Sequence, residues 1–417
     1  MQHRISHSCQ TAQTAAIVEI GQQRGCAEGP EPGSGIRTSN QGIHPETLCQ
    51  PGYRAPGDVT AADDQYSFHE LIISRPMPFQ ISLEPGGQHF AAAEDQTILE
   101  AALAAGLVLP YGCRDGACGA CKGRVVSGAV DLGSVSAGAL NDADRAAGMT
   151  LFCRAHARSD LVLEARNVSR AGDIPVKKLP CRVQRLTRTA PDVMILEVKL
   201  PASESFRFRA GQYVDFLLAD GRRRSFSIAN APHQADHMEL HVRLVPSGQF
   251  TEHVFDGMKE RDILRFEGPL GSFGLREESA RPIVMIAGGT GFAPIKSIVE
   301  HALHVGLTRP VTLYWGARHR AGLYLHELAN SWHDTLAGFR YIPVLSEASA
   351  DDSWRGRTGL VHHAVIEDLP DLSAYEVYAC GAPAMIEAAR RDLIDRCGLD
   401  EDAFFADAFT FASDPAR

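Results

Sequence analysis

Residues 111–121 read YGCRDGACGAC, a stretch that sets Cys113, Cys118 and Cys121 among glycines. A fourth cysteine, Cys153, lies downstream in MTLFCRAH. C-x4-C-x2-C with a distant fourth thiolate is the spacing of a [2Fe–2S] centre. Zinc is the competing metal, but structural zinc sites usually pair two C-x2-C knuckles, and only Cys118 and Cys121 form one. Gly112, Gly116, Gly119 and Gly123 let the loop wrap closely, adopt positive φ and turn its N–H groups toward sulfur. Cys113, Cys118, Cys121 and Cys153 are therefore the expected metal ligands.

The rest of the chain has to be read around that loop. Its 417 residues are enough for two to four domains. With 44% hydrophobic and 22% charged residues the composition is that of an ordinary globular protein. No apolar run is long enough to span a membrane. A formal charge of −10 gives no electrostatic reason to expect nucleic-acid binding. The ten cysteines are too unevenly placed for a disulfide scaffold, so the cluster reads as metal ligation in a reducing compartment, the cytoplasm. Residues 1–76 differ from the rest of the chain: they are rich in Gln, Gly, Pro, Ser and Thr without hydrophobic period, and are expected to be a disordered extension. Their five basic and eight acidic residues, with no apolar core, fit neither a signal nor a transit peptide.

From Met77 the pattern becomes regular. FQISL, EPGG and QHFAA read as strand, turn and strand; DQTILEAALAAG reads as a helix with Asp95 as N-cap and Gly106 as stop. GRVVSGAVDL reads as a strand pair, LVLEA as another strand, and 166–180 as a linker. Six short strands between Cys181 and about Leu275 suggest a small antiparallel barrel. After Arg281, PIVMIAGGTG, VTLYWGAR, FRYIPVLS and EVYACG alternate with helical segments, the pattern of a doubly wound parallel sheet.

The motifs together carry a resemblance. Residues 77–168 resemble a plant-type ferredoxin, and the remainder resembles the ferredoxin–NADP reductase superfamily, in the order ferredoxin, flavin domain, nicotinamide domain. Bacterial reductases serving phenol and methane monooxygenases, benzoate dioxygenase and CDP-sugar dehydrases share that order. The resemblance implies a β-grasp ferredoxin domain over 77–168, an FAD-binding β-barrel over 178–278 and an NAD(P)-binding α/β domain over 279–417. It also implies an NAD(P)H-dependent oxidoreductase that passes electrons through FAD and a [2Fe–2S] cluster to a partner protein, with no nucleic-acid or membrane partner.

Residue by residue, the resemblance assigns roles to several segments. In RRRSFSIAN, Arg224-Ser225-Phe226-Ser227 matches the flavin motif R-x-[YF]-S. Arg224 would hold the FAD phosphate through charge-assisted hydrogen bonds; Phe226 would pack on the flavin and Ser227 would reach N5. In HVRLVPSGQFTEHV, His241, Val242 and Arg243 would line the diphosphate or ribityl side, and Gly248, Gln249 and Thr251 would face phosphate. A hairpin and a capped helix account for Gly248 and Thr251 nearly as well. The Gly288-Gly289-Thr290-Gly291 turn lies between strand and helix, where free N–H groups suit a pyrophosphate. In YACGAPAMI, Cys380, Gly381 and Pro383 match a C-G-x-P-x-M segment that places Cys380 near the reacting nicotinamide carbon. In FFADAFTF, Phe409 or alternatively Phe411 would cover the flavin and yield to nicotinamide; the ending FFADAF resembles the glucoseen-reductase group.

One position departs from the pattern. Many NADH-dependent relatives carry an acid before the Leu323-Tyr324 pair, where this chain has Gly322. NADH is the expected donor, with Arg318 or Arg320 as the residues that would accept the 2′-phosphate of NADPH. An iron–sulfur sensor would have no use for the flavin and nicotinamide motifs, and residues 1–76 supply no domain for a self-sufficient oxygenase. The expected partner is a sugar dehydrase or, alternatively, an oxygenase component of the aromatic-ring or alkane class.

Overall fold

The computed structural model describes residues 77–170, 172 and 174–410. The extension expected over 1–76 lies outside the described residues, as does Phe411. Three sheets organise the described chain, each with its own core.

The first sheet orders its five strands as His89–Ala92, Phe79–Glu84, Leu161–Glu164, Lys122–Ser127 and Met149–Leu151. Ile81 and Leu83 alternate inward and meet the helix Ile98–Ala104, which buries Ile98, Leu99, Ala101 and Ala102. That helix is capped by Thr97, not Asp95: Thr97 and Glu100 form a reciprocal capping box, and Asp95 falls in the preceding turn. Gly106 stops it with φ of 76°. The expected strand pair over 123–132 is two strands with different partners. Lys122–Ser127 pairs with Met149–Leu151 and Leu161–Glu164, whereas Val130–Leu132 pairs with Ala155–Ala157. The expected linker 166–180 carries a short strand, Ser169–Arg170, and the first residues of Lys177–Ala190.

The second sheet contains all six expected strands. Its antiparallel order is Arg223–Ser227, Tyr213–Leu217, Ile263–Leu270, Lys177–Ala190, Val193–Lys199 and His237–Arg243. The ladder does not close into the expected barrel; its two outer strands meet at one isolated bridge, Ile228 with Leu240. Bulges at Val183/Arg185 and at Tyr213/Asp215 curve it around Leu196, Phe216, Phe266 and Val242.

The third sheet is parallel throughout, in the order Arg357–Thr358, Phe339–Leu345, Val311–Ala317, Ile283–Gly288, Glu376–Gly381 and Phe404–Ala408. Met285, Trp315 and the helix Phe292–His304 build a core on one face. Val284, Tyr314 and the helices Val361–Asp368 and Pro383–Cys397 build another on the opposite face. The strand order reverses direction at Ile283–Gly288, which puts a crevice at the carboxyl end of that strand, where open α/β sheets bind ligands. Among the described residues no helix is long and apolar enough to cross a membrane.

Candidate functional site at the junction of three sheets

The four cysteines come together as two pairs. The Cys113 N–H points at the Cys118 sulfur at 3.4 Å and the Cys118 N–H at the Cys113 sulfur at 3.3 Å, with Ala120 N–H 3.5 Å from Cys118. Cys121 and Cys153 hydrogen-bond each other, both buried. Within each pair one thiol is pushed up and the other held down by the shared hydrogen bond, Cys113 against Cys118 and Cys121 against Cys153. No three of the sulfurs lie within 4.8 Å of one another. A single zinc ion with Zn–S bonds of about 2.3 Å would bring all four closer than that. Two pairs fit two irons. Gly116 and Gly119 take φ of 84° and 75°, and a Cβ on Gly116 would strike Arg154 and the Ser134 carbonyl.

This loop opens onto a cleft of about 750 Å³ bordered by all three sheets. Gly112, Cys113, Arg114 and Cys153 line it from the first sheet, Arg224, Ser225, Phe226 and Ser227 from the second, and Asp407, Ala408 and Phe409 from the third. The volume suits a ligand of cofactor size.

The sequence-predicted residues divide by what they face. Arg224, Arg243, Gly248 and Thr251 line the cleft, and the Thr251 hydroxyl donates to the Gly248 carbonyl at 3.1 Å. Phe226 rests between Phe216 and Phe250, with ring centroids 5.9 and 5.4 Å away. His241 reaches the cleft with both ring nitrogens engaged, Nδ1 with the Tyr324 hydroxyl at 2.7 Å and Nε2 with Glu239 at 2.8 Å. Val242 places its side chain in the core of the second sheet, and Gln249 turns its Oε1 to Arg222.

In the glycine turn, Thr290 borders the cleft. The glycines there also serve packing: a Cβ on Gly291 would lie 2.1 Å from the Cys380 carbonyl oxygen, and one on Gly288 would lie 2.6 Å from Met385 sulfur. A Cβ on Gly289 would meet the Arg243 guanidinium at 2.6 Å. Gly381, at φ 151°, closes the same approach, and Pro383 opens the helix behind it. Cys380 is fully buried, its thiol pushed well up by burial and then by Asp407. Phe409 lines the cleft, its N–H donating to the Gly381 carbonyl at 2.8 Å.

Sequence reasoning passed over Asp407. Its carboxyl is buried 3.5 Å from the Ser227 hydroxyl and is pushed up to about 7 by burial, against the lowering effect of that contact. A lone acid inside the apolar run FFADAF was the available signal. Gly322 has a steric reason, since a Cβ there would lie 3.0 Å from that of Ala317. The Arg318 guanidinium faces Glu347 at 3.6 Å, and the Arg320 backbone N–H donates to Asp352 at 2.8 Å.

Three family models match in the order of the three sheets. They are a 2Fe-2S iron-sulfur cluster binding domain over 81–158, an oxidoreductase FAD-binding domain over 180–274 and an oxidoreductase NAD-binding domain over 285–391. The chain is 43% identical over 333 residues to CDP-6-deoxy-L-threo-D-glycero-4-hexulose-3-dehydrase reductase of Yersinia pseudotuberculosis serotype I (strain IP32953), covering 80% of this chain and 99% of that one. The chain belongs to the reductases that carry an N-terminal ferredoxin domain. This reductase is also 37% identical over 342 residues to the phenol 2-monooxygenase reductase component DmpP of Pseudomonas sp. (strain CF600), covering 81% of this chain and 96% of that one. Among solved structures it resembles the Amycolatopsis cytochrome P450 reductase GcoB, with a TM-score of 0.66 and 35% identity over 80% of this chain and 100% of that one. The reductase is an NAD(P)H-dependent oxidoreductase whose cofactors are FAD and a [2Fe–2S] cluster, and it delivers electrons to an acceptor protein.

Proposed function

We propose that this reductase supplies electrons to a CDP-hexulose dehydrase, within the module limits 77–168, 178–278 and 279–417. The observation that carries the electron route is the cleft itself: the cysteine loop, the flavin motif and the strand carrying Phe409 border one space. The 43% identity that extends over 99% of a dehydrase reductase supports the partner class, ahead of the 37% shared with an oxygenase reductase.

In this reading Cys113, Cys118, Cys121 and Cys153 hold the cluster, and Arg224, Arg243 and Thr251 hold the FAD phosphates, with Gly248 and Gln249 shaping the turn beside them. Ser225, Phe226 and Ser227 would flank the flavin, while His241 and Val242 would support it from His237–Arg243, the outer strand at the other end of the ladder. Gly288 to Gly291 receive the nicotinamide dinucleotide's pyrophosphate, and Cys380, Gly381 and Pro383 shape the nicotinamide end. Phe409, which lines the cleft, would cover the flavin and yield to nicotinamide. When bound, FAD converts a two-electron donor into single-electron steps for the cluster. The protein's own contribution is placement: buried walls exclude water, and the guanidinium of Arg224 meets a diphosphate charge.

Cys118→Ser tests the route. It should retain NADH-dependent ferricyanide reduction and FAD, and lose nearly all reduction of cytochrome c and of a purified CDP-hexulose dehydrase. Wild-type cytochrome c reduction by a cluster-free variant would overturn the route. Failure with the dehydrase alone would overturn the partner.

A further inference from the structure

The strand Tyr213–Leu217, YVDFL, is apolar except for Asp215, which is only 4% exposed. A carboxylate in such a place is costly unless both oxygens are engaged. Here they are divided between two parts of the molecule. Oδ1 accepts from the Ser225 hydroxyl at 2.6 Å, and Oδ2 accepts from Arg114 Nη2 at 2.7 Å. Ser225 lies directly opposite Asp215 in the ladder and belongs to the flavin motif. Arg114 lies in the cysteine loop between Cys113 and Cys118, 101 residues away in sequence.

Arg114 itself sits where an arginine is disfavoured. Its φ is 62°, in the left-handed region where glycine is the cheapest residue, and the same loop uses glycine at Gly116 and Gly119 with φ of 84° and 75°. An arginine kept at such a position is kept for its side chain. That side chain is 26% exposed and ion-pairs with Asp215. Two neighbouring ties reinforce the contact through the backbone. The Tyr213 hydroxyl donates to the Gly112 carbonyl at 2.5 Å, and the Tyr111 N–H donates to the Ser272 hydroxyl at 2.9 Å.

We propose that Asp215 is a positioning residue that sets the separation of the two redox sites, gripping the cysteine loop through Arg114 and the flavin strand through Ser225. Asp215 borders the same cleft as Arg114 and Ser225, and its role is the grip it keeps on both. It acts through the geometry of the loop, and electron transfer falls steeply with distance. The inference rests on the reading that Cys113 and Cys118 hold the cluster and that the strand Arg223–Ser227 flanks the flavin.

The test uses Arg114→Gly and Asp215→Asn in the full-length holoprotein, singly and together. Arg114→Gly suits the backbone and so separates the side chain's role from loop strain, while Asp215 keeps Ser225 and faces Arg223 at 3.6 Å. In each single variant the ratio of cytochrome c reduction to ferricyanide reduction, both normalised to bound iron and FAD, should fall about tenfold or more. The double variant should lose no more than either single one, because the two residues act as one unit. Arg114→Lys, which keeps the charge, should recover part of the rate. In a second readout independent of turnover, the Tyr111 amide of the FAD-free protein should exchange with deuterium about tenfold faster in both single variants. An unchanged ratio of the two reductase activities together with unchanged Tyr111 exchange in Arg114→Gly would overturn the inference. Arg114→Gly decides alone if Asp215→Asn loses FAD. Cytochrome c reduction that persists in Cys118→Ser would instead defeat the underlying reading of the site.

Discussion

Cys153 and Cys181 are both buried, but their surroundings give them opposite fates. Cys153 shares a hydrogen bond with Cys121 and is held toward its thiolate form, whereas Cys181 sits in the core of the flavin sheet, its thiol pushed up to about 12 by burial. Cys153→Ser should therefore lose iron, acid-labile sulfide and the red-brown absorption, and Cys181→Ser should keep all three. A second residue-scale prediction concerns Glu239, which bonds His241 and Lys296 across the flavin and nicotinamide domains. Burial pushes its carboxyl up, but the His241 hydrogen bond and the Lys296 charge prevail and bring it from 4.5 down to about 2. A depressed carboxyl adds stability above its unfolded value and loses it as the pH falls through the folded one. The contribution, about 3 kcal/mol at neutral pH, should disappear between roughly pH 4.5 and pH 2. Denaturant titrations at several pH values should show that slope in the wild type and its removal in Glu239→Gln.

At the scale of elements, two loops at the carboxyl edge of the parallel sheet bear on nicotinamide choice. The loop after Val311–Ala317 carries Arg318, His319 and Arg320, and the loop after Phe339–Leu345 carries Glu347 and Asp352. The second loop answers the first: Arg318 faces Glu347, His319 faces Asp352 at 3.5 Å, and the Arg320 amide is bonded to Asp352. Glu347 and Asp352 thus set two carboxylates beside this basic loop, where Gly322 offers none. NADH should give the higher kcat/KM, and Glu347→Gln should raise kcat/KM for NADPH relative to NADH about tenfold by releasing one guanidinium for a phosphate. The loops show what was legible in the sequence. Elements with a local signature were readable: the six alternating strands fell where their period placed them, and the glycine turn fell between strand and helix. Partnerships between distant segments were not. Nothing local tells Val130–Leu132 to pair with Ala155–Ala157, or directs Arg114 to Asp215 and Arg318 to Glu347. The single acids in YVDFL and FFADAF were the written hints, and each has a partner in another domain, Arg114 for Asp215 and Ser227 for Asp407.

For the whole molecule, a cleft bordered by three sheets makes its occupant a structural member of each. FAD bound there should tie the three cores into one cooperative unit, because a ligand that binds only the assembled form stabilises that form. Scanning calorimetry should show a single dominant transition for the holoprotein and resolved, lower transitions after FAD is stripped. The hydrogen bond from Tyr111 to Ser272 carries a further consequence, one of timing. It joins residues 161 positions apart, and Tyr111 packs in the ferredoxin core while Ser272 lies just past the last strand of the flavin sheet. Contacts at such separation return nothing until the intervening chain has been ordered, so they form late. During refolding each sheet should acquire protected amides before Tyr111 does, and docking of the loop should be the closing event on the pathway. A newly made ferredoxin module would then spend its first moments as an independent body, competent to collect iron and sulfide before it is committed to its flavin neighbour.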